Sequence, residues 1–63
     1  MLATTPQEGQ TFRFTHDLSG ICPVKKGDKL IYTGDNIAKI LTGESKGWTV
    51  VVSIEAPIEL VIS

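Results

Sequence analysis

Five short runs of alternating apolar side chains, separated by turn signals, constrain this chain more than any other feature. Phe12 and Phe14 share one side of an extended backbone, with Arg13 and Thr15 on the other. Leu30 and Tyr32 alternate with Ile31 and Thr33, and Ala38 and Ile40 with Lys39 and Leu41. Trp48, Val50, Val52 and Ile54 oppose Thr49, Val51 and Ser53, and Ile58, Leu60 and Ile62 oppose Glu59 and Val61. Period two, with β-branched and aromatic residues in runs of about five, is the pattern of β-strands. Lys26-Gly27-Asp28, Gly34-Asp35-Asn36, Gly43 to Gly47 and Ala56-Pro57 punctuate the runs. These residues supply positive φ, local side-chain caps or a strand-opening proline. Asp35 to Leu41 also fits one or two turns of capped helix. Seven residues are too few for a helix without strong packing, so strand is the expectation.

The chain has 63 residues, enough for one domain. Five strands in so short a chain bury one face only by curling into a small barrel or two crossed sheets. A single cysteine rules out an internal disulfide and a Cys-rich zinc site, so packing or a second subunit must supply the stability. Six Lys and Arg against seven Asp and Glu leave a net charge of -1, which excludes nucleic-acid binding by bulk charge. No apolar run approaches a membrane span. The start, Met1 to Gln10, is polar, lacks the charged and apolar parts of a signal peptide, and reads as an N-terminal arm ahead of a domain at 11–63. Beginning at its own Met, the chain reads as a free-standing cytoplasmic protein of a bacterium or virus.

Around Pro23-Val24-Lys25-Lys26-Gly27-Asp28-Lys29-Leu30 the sequence resembles the diverging turn of SH3 domains. Phe12 to Leu18 stands where that family has Ala-Leu-Tyr-Asp-Tyr. Lys46-Gly47-Trp48-Thr49-Val50 resembles the segment carrying its groove Trp, and Ala56 to Leu60 stands where it has a Pro and then a Tyr. The resemblance implies an all-β, small five-stranded SH3-like barrel. It does not carry over the family's proline-rich ligand. Phe14 and His16 stand in place of the first groove tyrosines, Leu60 in place of the last, and the acidic cluster is missing.

Chemistry-bearing residues are few. His16, Asp17 and Ser19 are neighbours, but adjacent residues of an extended run point to opposite sides, so a surface polar cluster is expected rather than a catalytic set. Cys22 has no assigned base and reads as a small buried side chain. No metal-ligand spacing or phosphate loop is present, so neither a cofactor nor enzymatic activity is expected. Ile31, Leu41, Val51 and Val61 lie opposite the core faces, and a patch of them implies contact with a protein partner or a second copy. Trp48 shares the core face by alternation; exposed, it is the best interface anchor. The C-terminal Ile-Glu-Leu-Val-Ile-Ser also suits addition to a partner's sheet edge. The expectation is a non-enzymatic protein-interaction module: an adaptor, inhibitor or assembly subunit. The alternative is a single-strand nucleic-acid binder using Arg13, Lys25, Lys26 and Lys29 as a positive rim beside Phe14, Tyr32 or Trp48, with Asp28 inside the cluster counting against it.

Overall fold

A computed structural model describes residues 6–61. Five antiparallel strands form one sheet: β1 (Thr11–Phe14), β2 (Lys29–Gly34), β3 (Ile37–Ile40), β4 (Thr49–Val51) and β5 (Ile58–Leu60), in the order β4-β3-β2-β1-β5. Among the described residues there is no helix, and so none long and apolar enough to cross a membrane. The small, five-stranded, all-β, barrel-like architecture expected from the sequence is the one observed, with one qualification. The end strands β4 and β5 neither pair nor touch, so the sheet wraps the core without closing. Principal extents of 26 × 22 × 18 Å describe a rolled sheet rather than a flat one.

The inward rows follow the alternation. Phe12 and Phe14 of β1, Leu30 and Tyr32 of β2, Ala38 and Ile40 of β3, and Ile58 of β5 are buried together with Val24 and Val52. The register places Leu30 between Phe12 and Ile40, and Phe12 between Leu30 and Leu60, so one apolar row crosses four strands. On the other face Arg13 lies opposite Lys29 on one side and Glu59 on the other, and pairs with Glu59.

The segment open to helix or strand is strand. Asp35 and Asn36 both have positive φ (53° and 62°), the geometry of a two-residue type I′ hairpin turn, which reverses the chain into Ile37–Ile40. Thr33 is an extra residue on β2, where the register shifts between Tyr32 and Gly34. The Asn36 N–H donates to Tyr32 Oη at 2.7 Å, so a core aromatic holds the turn at its polar tip. Tyr32→Phe removes that acceptor from a half-buried N–H. It is expected to cost about 1–2 kcal/mol, read as a lower urea midpoint at unchanged m-value.

Residues 1–5 of the expected arm and Ile62 of the expected last strand lie outside the described residues. Pro6 is buried, and the chain from it is bonded to β2. Gly9 N–H donates to Tyr32 O at 2.8 Å, and Tyr32 N–H to Gln10 O at 2.9 Å.

Candidate partner-binding groove

The segment between β1 and β2 folds back on itself. Leu18 and Val24 exchange both backbone hydrogen bonds, at 2.8 and 2.9 Å, and close off residues 19–23 as a loop. The expected tight turn follows: Asp28 N–H donates to Lys25 O, and Gly27, at φ +95°, donates to Phe14 O. This folded segment stands across the open seam from β4. Between them lies a groove of about 140 Å³. Its floor is the core itself, through Phe14, Val24, Ile40 and Val52. One wall is β4, at Val50 and Val51; the other is made by Leu18 and Cys22 with Ala56 and Pro57. Every lining residue is apolar or a thiol. Leu18 and Val51 stand at its mouth, and Val51 is 78% exposed.

β4 is shorter than the alternation implies. The expected run from Trp48 to Ile54 pairs only over Thr49–Val51. Val52 still turns inward, its N–H donating to Asn36 O at 2.8 Å, but the chain then enters a turn in which Ala56 N–H donates to Ser53 O. Ile54 is therefore exposed on that turn instead of buried. Trp48 also departs from expectation. It follows the inward parity of Val50 and Val52, yet it sits where the β3–β4 hairpin runs past the core and is 54% exposed. A core Trp truncation costs about 3–5 kcal/mol; Trp48→Ala is expected to cost under about 1.5 kcal/mol, measured by chemical denaturation. Leu60, expected inward, is likewise exposed, at the C-terminal end of β5.

The other residues singled out in the sequence are placed apart. Ile31, Leu41 and Val61 are half-buried on the outer face. Ile31 has Thr11 opposite it on β1 and Lys39 on β3, so polar residues with coverable stems separate it from its apolar neighbours. Val51 lies opposite Ile37 on the far side of Lys39. The outer apolar residues are thus interspersed with polar ones, and Val51 alone among them lines the groove.

His16 Nδ1 lies 2.9 Å from Thr15 Oγ1, while Asp17 Oδ1 accepts the Lys26 N–H at 2.7 Å, so Asp17 is engaged in fixing the turn and does not orient His16. Cys22 is half-buried against the core. Among the described residues no group of three His, Cys, Asp or Glu is placed to hold a metal ion. Of the four cations, Arg13 pairs with Glu59, while Lys25, Lys26 and Lys29 are held through their backbone N–H groups, by Asp28, Asp17 and Thr42 respectively.

A second, wider depression of about 390 Å³ lies between Pro23–Asp28 and Gly43–Glu44. Its walls are tied together by structural bonds. Asp28 Oδ1 accepts from Thr42 Oγ1 at 3.3 Å, Thr42 Oγ1 accepts the Lys29 N–H at 3.0 Å, and the buried Ser45 hydroxyl donates to Pro23 O at 2.7 Å. Asp28 and Ser45 therefore join the diverging turn to the β3–β4 hairpin.

Sequence reasoning missed Leu18, Ala56 and Pro57 as groove residues. The apolar character of Leu18 in an otherwise polar stretch was the available signal; its pairing with Val24 was not visible locally. Compared with protein-family models, curated proteins and solved structures, the chain matches none.

Proposed function

We propose that this protein is a non-enzymatic protein-interaction module, an adaptor, inhibitor or assembly subunit, that engages its partner at the seam between β4 and β5. The observation that supports this reading is the coincidence of an apolar groove with an unpaired sheet edge. Apolar side chains at the mouth, Leu18 and Val51, continue the lining out to the surface, with Ile54 exposed on the neighbouring turn. Large apolar groups left at a strand edge are an association liability unless something covers them. A concave, apolar, largely preformed site is where binding energy concentrates.

The test uses the full chain as bait in an extract of the cells that make it, beside the Leu18→Asp variant. Leu18 is on a loop and exposed, so the variant is expected to keep its fold, verified by amide spectra and denaturation midpoint. The expected result is a polypeptide retained by the native chain and lost with Leu18→Asp. Identical capture by both folded proteins overturns the reading.

A further inference from the structure

We infer that the groove takes an extended peptide segment of a partner, which adds to the free edge of β4 as a sixth strand and places one aliphatic or single-ring side chain in the void. The inference rests on the interaction reading above and specifies the chemistry of the partner.

The backbone of β4 supplies the first argument. Val52 N–H bonds to Asn36 O, and Trp48 O accepts the Ile40 N–H. In an antiparallel ladder the bonding direction alternates residue by residue. With Val50 opposite Ala38 in that register, Val50, Val52 and the Trp48 carbonyl face β3, the Trp48 N–H donates back to Ser45 O, and Thr49 and Val51 direct their backbone groups outward. No other strand pairs with that edge among the described residues. An incoming strand bonds to Thr49 and Val51, as in other cases of strand addition. Its residue opposite Val50 then shares the face of Val50, which is the groove.

The void sets the size of that residue. About 140 Å³ of predominantly apolar space is the size of cavity that holds one benzene-sized group. Val, Leu, Ile or Phe fits; a charged or amide side chain is disfavoured, because the side chains lining the groove are apolar or a thiol. A proline-rich helix is a poor occupant. It packs on stacked aromatic rings and asks for no ladder bonds, whereas Phe14 is the one aromatic ring in this lining.

Contact area argues against a second copy as the occupant. A three-residue edge is about 10 Å long and a sheet layer about 10 Å deep, so edge-to-edge contact covers on the order of 100 Å². A stable dimer needs roughly 800 Å² per partner. A single peptide strand is instead gripped from both sides, by β4 and by the wall of Leu18, Ala56 and Pro57.

The variant that isolates the mechanism is Val51→Pro. It deletes an N–H that points away from β3, so the ladder is kept, as for prolines on edge strands generally. Linear peptides displayed as a random library are selected against the full chain. The expected peptides carry one Val, Leu, Ile or Phe anchor among strand-forming residues. Their affinity falls at least tenfold on Val51→Pro and on N-methylation of the peptide beside the anchor, but little on Val51→Ala. In titrations of the native chain, the amide resonances of Thr49 and Val51 move most. Proline-rich selected sequences, binding indifferent to both Val51→Pro and N-methylation, shifts confined to the outer face, or no selected binder overturn strand addition. Concentration-dependent self-association abolished by Val51→Pro overturns the choice of occupant in favour of a second copy. Capture lost with Leu18→Asp but indifferent to Val51→Pro removes strand addition alone, whereas capture indifferent to Leu18→Asp removes the interaction reading with it.

Discussion

Leu30→Ala is expected to remove about half or more of the protein's folding stability. Leu30 has no exposed surface and lies at the middle of the sheet, with Phe12 opposite it on β1 and Ile40 on β3. Truncating a leucine so enclosed costs about 2–5 kcal/mol, the lost transfer energy plus the cavity left behind. A chain of this length holds only about 3–9 kcal/mol in all, from 0.05–0.15 kcal/mol per residue, and has no disulfide to limit the loss. Ile31→Ala, one residue along on the half-buried outer face, is the control and is expected to cost about 1 kcal/mol or less. Urea titrations of the two variants decide the matter: equal midpoints would mean that the Leu30 face is not the core. The same variant bears on function, because the floor of the groove is made of the core side chains that pack with Leu30. Leu30→Ala is therefore expected to weaken partner capture without altering any residue of the groove.

The sheet was legible in the sequence because its information is local. Alternation within each run marks the inward faces of β1, β2 and β3, and Asp35-Asn36 with Gly34 marks the reversal that makes the third run a strand. Trp48 and Ile54 show where local information ends. Parity assigns a side chain to a face, but burial depends on whether the neighbouring strands extend that far, and at both ends of β4 they do not. The groove was illegible for a related reason. It exists because Leu18 and Val24 bond to each other and stand against Val50 to Val52, segments that are remote in sequence. No period, spacing or motif encodes such a juxtaposition. The residues read as an outer apolar patch illustrate the converse: Ile31, Leu41 and Val61 look alike in sequence, yet the register sets polar residues among them, and Val51 alone reaches the seam.

The seam stays open only if the loop on one side and the hairpin on the other are held at fixed positions, and Gly43 is where that requirement is most exacting. Its φ is +88°, and a methyl group built on its Cα would lie against the Asp28 carboxylate, 2.8 Å from Asp28 Cγ. Gly43→Ala therefore meets two penalties. The left-handed backbone costs an alanine about 1–2 kcal/mol. Displacing Asp28 also loosens its bonds from the Lys25 N–H at 3.0 Å and from Thr42 Oγ1 at 3.3 Å, bonds to a charged acceptor worth about 1.5–3 kcal/mol when well made; at exposed sites and these lengths, the lower end applies. A total of about 2–4 kcal/mol is expected, second only to Leu30→Ala. Gly47 separates the two penalties, because its φ is nearly the same, +93°, and nothing lies within 4 Å of its built Cβ. Gly47→Ala is expected to show the backbone cost alone. In an Asp28→Ala background, Gly43→Ala is expected to fall to that same cost, so the double-mutant cycle returns a coupling of about 1 kcal/mol or more. Equal destabilisation by Gly43→Ala and Gly47→Ala, or an additive cycle, would show that Asp28 does not pin the hairpin to the diverging turn. The walls of the groove would then owe their positions to the core alone.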